Sequence, residues 1–289
     1  MRNKVISAEQ AARLIVSGDL VAIGSSAGVN CPDLILEHIG KRFRAEGEPR
    51  NISLFSPIAA GDMYGIKGID HLAVQRLKAS VVFGSYPSGP SSLPSPLIWE
   101  MLGRNEFAAY NLPSGVMYDM LRDAAAHRPG ILTKVGLGTF VDPELDGGSM
   151  NDAARAQDAI VRRVEFNGET WLHYKSMPPQ VAIIRGTTAD ERGNISMEHE
   201  GAVLGMVDLA LAARNNGGIV ICQVKRLTGA GSIPTQQVHV PSTLVDFIVV
   251  DPNQKQATSI TYDPAISGET RRPKSSFRPT PFSVDKVIA

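Results

Sequence analysis

LVAIG at residues 20–24, PDLILEHIGKRFRAEG at 32–47 and NISLFSP at 51–57 follow one another almost without interruption. The first is a short apolar run that stops at a glycine. The second places Leu34, Ile35, Ile39 and Phe43 at helical spacing, with Pro32 where the first turn of a helix tolerates a missing N–H. The third is apolar again and bounded by turn residues. Strand, helix and strand in that order form a parallel crossover unit, the element of an α/β fold.

The rhythm continues along the chain. DHLAVQRLKAS at 70–80 predicts a helix and VVFG at 81–84 a strand. SPLIWEMLGRN at 95–105 predicts a helix, FAAYN at 107–111 a strand, and GVMYDMLRDAAAHRPG at 115–130 a helix stopped by Pro129 and Gly130. GTFVDPELDGGSMNDAARAQ at 138–157 is an excursion rich in Gly and Asp. VRRVEFNGETWLHYKS at 161–176 alternates apolar and polar residues about Asn167-Gly168, a hairpin signal. QVAIIRGTT at 180–188, IVICQVKRL at 219–227 and HVPSTLVDFIVVDP at 239–252 are further strands, and AVLGMVDLALAARNNGG at 202–218 a helix with a glycine stop. The expectation is an α/β fold: an open, mostly parallel sheet with helices on both faces, plus a hairpin excursion at 161–176. One domain covers 1–270. The polar residues after it, 271–289, read as a linker and the start of a helix in FSVDKVIA, capped by Ser283.

Composition removes several function classes. The 289 residues are 43% hydrophobic and 20% charged, and Lys plus Arg equals Asp plus Glu at 29 each. No whole-chain basic field exists to draw nucleic acid or an anionic membrane. The two cysteines, Cys31 and Cys222, form no CxxC and no Cys/His cluster at zinc spacing. Two thiols suit a reducing compartment, or one disulfide. No histidine pairs with another at i+4 and no HExxH is present, so no metal is expected. The apolar runs are too short to span a bilayer, and the start lacks a secretory pattern. The expected location is cytoplasmic.

GSSAG at 24–28 lies between a strand and a helix. It reads as a tight turn or as a loop whose N–H groups meet a ligand; with Ser at 26 it departs from GxGxxG. Ser25, Ser26, Ser88 and Ser114 stand in Gly-rich settings, none within GxSxG. Ser114, in Leu-Pro-Ser-Gly, sits either where open sheets bind ligands or as the cap of the following helix. Glu198 and Glu200 read as a solvated loop rather than an acid pair.

Several strings, in order, resemble the first half of family I coenzyme A transferases, the acetoacetate and short-chain acyl type: PRNISLFSP at 49–57, AAYNLPSGVM at 108–117, RDAAAHRPGILTKVGLGTFVDPELDGG at 122–148, RGTTADERGNISME at 185–198, NNGGIVICQV at 215–224 and LVDFIVVDP at 244–252. The resemblance implies covalent transfer of CoA from an acyl-CoA to a carboxylate through a glutamyl-CoA thioester. It implies CoA as substrate and no permanently bound cofactor. In that family the nucleophilic glutamate lies in the second half, in a motif absent here, so no catalytic residue is expected in this chain. The implied partner is a second half, a beta subunit or C-terminal domain, and a higher oligomer; the chain itself is then an alpha subunit or the first part of a fused enzyme.

Carried over residue by residue, the implied pocket pieces are Gly24 to Asn30, Pro57 to Asp62, Asn111 to Gly115 and Gly136 to Phe140. The substrate-binding residues expected within them are Gly24, Ser25, Ser26, Ala27, Gly28, Asn30, Asn111, Pro113, Ser114, Gly115, Gly138 and Thr139. Two departures stand out. GSSAG has fewer glycines than relatives, and Ser114 stands where relatives carry Gln. The alternatives on the same fold are a CoA-thioester hydrolase or C–C cleaving enzyme, or a ligand-sensing module.

Overall fold

Alternate residues of each strand feed two different cores, which is the mark of a sheet covered on both faces. Val21 and Ile23 belong to one buried cluster and Ala22 to the other. Val81 and Phe83 part from Val82 in the same way, as do Val181 and Ile183 from Ala182 and Ile184. The computed structural model describes residues 4–62, 64–87 and 95–276. Ser88, Ser283 and the FSVDKVIA segment lie outside the described residues.

The strands are β1 Leu20–Ile23, β2 Ile52–Ser56, β3 Lys78–Phe83, β4 Ala108–Asn111, β5 Gly130–Thr133, β6 Val161–Phe166, β7 Glu169–Lys175, β8 Val181–Arg185, β9 Thr188–Asp190, β10 Ile195–Ser196, β11 Ile219–Val224, β12 Arg226–Thr228 and β13 Phe247–Val250. The α-helices are α1 Ala8–Arg13, α2 Asp33–Glu46, α3 Leu97–Gly103, α4 Ser114–Ala125, α5 Asp152–Arg155 and α6 Met206–Asn215. The main sheet has seven strands in the order β13-β11-β8-β1-β2-β3-β4, and every pairing within it is parallel. Helices α1, α2 and α3 bury Ala11, Ile35, Leu36, Ile39 and Ile98 on one face; α4 and α6 bury Met117, Leu121, Leu209 and Ala213 on the other.

β5, β7 and β6 form an antiparallel sheet whose β6–β7 hairpin turns at Asn167-Gly168, as the alternation predicts. Asn167 takes φ +54° and Gly168 φ +76°, the left-handed pair a two-residue turn needs. A third sheet, β10-β9-β12, extends beyond the ends of β8 and β11.

Four readings change. The expected helix at 70–80 is a 3₁₀ turn, Gly68–Leu72, followed by β3, which begins at Lys78. Arg76, at φ +65°, breaks any helix there, and Lys78 is claimed by pairing with Ile52. The 180–188 run is two strands split at Gly186, where a Cβ would meet Ile195 Cγ2 at 2.3 Å. α1 was not anticipated; its capping box joins Ser7 and Gln10. Glu200 is buried and not in a solvated loop. Both cysteines are free and buried. No helix among the described residues is long and apolar enough to cross a membrane.

Candidate active site at the carboxyl edge of the sheet

β1 is the point at which the chain reverses its build. From it β2, β3 and β4 are added toward one edge and β8, β11 and β13 toward the other. Open α/β sheets hold ligands at the carboxyl ends of the strands flanking such a switch, and the expected pocket pieces gather there.

The turn after β1 is closed by reciprocal bonds, Ser26 N to Val29 O and Val29 N to Ser26 O, both 2.9 Å. Ala27 and Asn30 take φ +51° and +57°, conformations that non-glycine residues hold only where the surroundings enforce them. The turn after β2 lies against it: Ala27 N donates to Ala59 O at 3.1 Å and Gly61 N to Ala27 O at 2.8 Å. Gly28 permits this contact, since a Cβ would stand 2.0 Å from Asp62 Oδ2. Gly24 serves a different end. A Cβ there would lie 2.5 Å from Met206 Sδ, so its bareness admits α6 rather than a ligand. Ser25 is buried and Ala27 exposed.

Asn111 to Gly115 closes the row. Leu112 N donates to Phe83 O at 2.9 Å. Pro113 is the N-cap of α4 and gives it no side-chain bond; Ser114 is its first residue, not its cap. Gly84, after β3, would carry a Cβ 2.3 Å from Ser114 Oγ and 2.1 Å from Pro57 O. The turns after β1, β2 and β4 therefore stand side by side. Gly136 to Phe140 sits further out, attached through Asn111 N to Gly148 O at 2.8 Å and Gly148 N to Phe140 O at 3.0 Å. Gly138 and Thr139 are exposed there, with Gly138 N bonded to Asp142 Oδ2 at 2.8 Å.

Two buried acceptors of these turns have no hydrogen-bond partner among the described residues: Asn30 Oδ1 and Asp62 Oδ2. Their companion atoms are engaged. Asn30 Nδ2 donates to Ala202 O at 2.8 Å, and Asp62 Oδ1 accepts from Tyr64 N and Ile66 N.

Sequence reading missed a polar cluster on the other side of the switch. A cavity of about 270 Å³ is lined in part by Cys31, Asp33, Arg185, Gln223 and Gln254. Arg185 is 2% exposed. Its Nε donates to Glu200 Oε1 at 3.2 Å, and Nη2 lies 3.1 Å from Oε2 as an ion pair without hydrogen-bond alignment. Burial pushes the Glu200 carboxyl above the usual range, with Arg185 opposing. Burial also pushes the Cys31 thiol well up, so it is no thiolate nucleophile. The one local signal was Arg185 itself, a charge at the end of the apolar run VAII. Among the described residues no group of His, Cys, Asp and Glu could hold a metal ion.

The Coenzyme A transferase family profile matches residues 5–251, and the chain belongs to that family. It is 37% identical to the caffeate CoA-transferase of Acetobacterium woodii over 289 residues, which is 99% of this chain and 53% of that protein. The crystal structure of the acyl-CoA transferase YdiF of Escherichia coli O157:H7, a thioester complex with CoA, aligns with a TM-score of 0.86 at 33% identity, covering 94% of this chain and 52% of that one. The alpha subunit of the acetoacetyl-CoA:acetate/butyrate CoA transferase of Clostridium acetobutylicum is 22% identical over 254 residues, 87% of this chain and 100% of that subunit. The chain thus spans about half the length of the first two relatives.

Proposed function

We propose that this chain is the first half of a CoA-transferase that moves CoA from an acyl-CoA to a carboxylate acceptor through a glutamyl-CoA thioester formed on a second half. The supporting observation is the row of turns. GSSAGVN at 24–30, PIAAGD at 57–62 and NLPSG at 111–115, with GLGTF at 136–140 further out, bring small residues and no glutamate. Three glutamates outside the row are otherwise engaged: Glu165 on β6 accepts from Thr170, Glu198 from Thr188 and Arg226, and Glu200 pairs with Arg185.

A glutamate carboxylate attacks the acyl carbon and expels CoA thiolate, leaving an anhydride. The thiolate then attacks the glutamyl carbonyl and releases the donor acid, leaving glutamyl-CoA. The acceptor carboxylate runs both steps in reverse. Each step builds an oxyanion that aimed N–H groups stabilise; those of Ser114 and Gly115 precede the first ladder bond of α4, Met117 N to Pro113 O, and are the candidates here. The substrate-binding residues of this reading are those expected at Ser25, Ser26, Ala27, Gly28, Asn30, Asn111, Pro113, Ser114, Gly115, Gly138 and Thr139, without Gly24, whose bareness admits α6. The relatives named for caffeate, acetate and butyrate suggest acceptors from short-chain to aromatic acids.

The test uses labelled acyl-CoA with acetate, butyrate and caffeate as acceptors, on the isolated chain and on the chain with its second half. Transfer is expected only with both halves present, and borohydride is expected to trap the thioester on the second half. Transfer by the isolated chain, or trapping on it, overturns the assignment. Release of free CoA without acceptor dependence points instead to a hydrolase.

A further inference from the structure

We propose that Arg185 is a positioning residue for the turn Gly24–Asn30, acting through the Cys31 carbonyl and through Glu200. The transferase reading enters only through the kinetic readout.

Arg185 is the last residue of β8, the strand beside β1 across the switch. Its guanidinium reaches the turn by two routes. Directly, Nη1 donates to Cys31 O at 2.9 Å. Cys31 follows the turn and precedes the N-cap Pro32, and the first carbonyl taken into α2 is that of Pro32, bonded by Leu36 N at 3.2 Å. The Cys31 carbonyl is therefore outside the helix ladder, and Arg185 satisfies it. Indirectly, Arg185 fixes Glu200, and two residues on Ala202 O accepts from Asn30 Nδ2 at 2.8 Å. The segment 200–202 is thus held by Arg185 at one end and holds the turn at the other. Gln254 Nε2 locks Glu200 Oε1 at 3.1 Å and Gly186 O at 2.9 Å, and Gln223 in turn holds Gln254 at 3.0 Å.

Buried ion pairs are weak devices for stability, because desolvation consumes most of the attraction and apolar replacements are often as stable. A rigid fork does what an apolar side chain cannot: it ties two separate backbone points to one place. The turn needs that restraint, since Ala27 and Asn30 occupy left-handed conformations. N–H groups that meet a developing oxyanion are effective only when held in place beforehand.

The test is Arg185→Lys in the chain with its second half. Lysine keeps the charge facing Glu200 but cannot span Glu200 and Cys31 O together. Expected are amide hydrogen exchange across 24–31 faster by about 10-fold or more, with β8 and β11 protected as in the wild type. kcat per trapped active site should fall by about 10- to 100-fold, with KM for acyl-CoA within about threefold. Asn30→Ala severs the second route and should raise exchange across 24–31 more weakly; it is read by exchange alone, since Asn30 is itself placed among the substrate-binding residues, and it keeps the proposal testable if the lysine variant folds poorly. Unchanged exchange at 24–31 overturns it. So does exchange that rises evenly over the whole sheet with kcat per site unchanged, which marks a purely structural pair. Absence of transfer by the wild type removes the transferase reading and leaves the exchange result to judge Arg185 alone.

Discussion

Gly84 and Ser114 meet at the ends of adjacent strands with no room for a methyl group between them: a Cβ on Gly84 would lie 2.3 Å from Ser114 Oγ. The same Cβ would lie 2.1 Å from Pro57 O, which is backbone and cannot swing aside. Gly84 is not among the glycines at positive φ. Its role is space, and it allows the ends of β2, β3 and β4 to converge.

Gly84→Ala should therefore push the turns after β2 and β4 apart. The expected cost is about 1–3 kcal/mol, as for overpacking elsewhere. It is read as a lower urea midpoint at unchanged slope, with transfer activity falling further than the unfolded fraction explains. A midpoint equal to the wild type means the turns part freely and do not form one wall.

Asp142 anchors the outer loop to β6. Arg163 Nε donates to its Oδ1 at 2.7 Å and Nη2 to its Oδ2 at 2.8 Å, a two-pronged pair. The Arg163 bonds, joined by those from Gly138 N and Glu144 N, hold this carboxyl well below the usual carboxylate range. A depressed folded value contributes stability above the unfolded pKa of about 4, lost as pH falls. Asp142→Asn should lower Tm at neutral pH, and the gap from the wild type should begin to narrow as pH drops from about 5 toward 3 and keep narrowing below that. Two curves that stay parallel through that window exclude the pair as the source.

Lys78 has the opposite sign. It is 3% exposed, and burial lowers its ammonium to about 7, with Glu106 and Asp70 opposing. An unfolded lysine titrates near 10.4. Between those values the unfolded chain binds more protons, so this residue makes stability rise with pH. Tm of the wild type minus that of Lys78→Met should grow between about pH 7 and pH 10. A difference that stays flat or shrinks shows that Lys78 keeps its proton in the folded state.

Periodicity located most of the main sheet, because a strand buried on both faces needs an unbroken apolar run such as FIVV or VAII, and the covering helices need one apolar side. It failed where local chemistry is outvoted. DHLAVQRLKAS has helical spacing, yet β2 draws Lys78 into the sheet. The turns of the site were visible as clusters of small residues, but not which partner each small residue admits: Gly24 faces Met206 and Gly28 faces Asp62. The Arg185–Glu200 pair was illegible, since two charges 15 residues apart show no pattern until the antiparallel β9–β10 pairing folds the chain back between them.

Ser114 carries the last prediction. It is the first residue of α4, and Gly115 beside it has open space where a Cβ would be. The resemblance to family I CoA-transferases implies Gln at this place, long enough to lay an amide on the oxygen of an acyl-glutamate. The serine hydroxyl is shorter by about two heavy atoms and reaches that oxygen at best through a water. Losing one such donor costs about 3–4 kcal/mol in the transition state unless another group replaces it. The vacated volume favours longer acyl chains, each added buried methylene being worth about 0.8 kcal/mol, or roughly fourfold in kcat/KM. Ser114→Gln should therefore shift preference toward short donors, with kcat on acetyl-CoA equal or higher and kcat/KM on hexanoyl-CoA lower. The measurement is kcat/KM over a C2 to C6 acyl-CoA series for both forms, with the second half present. Ser114 does not contribute to capping α4, so the thermal midpoint should barely move. Two series that differ by a constant factor at every chain length show that residue 114 does not line the acyl pocket.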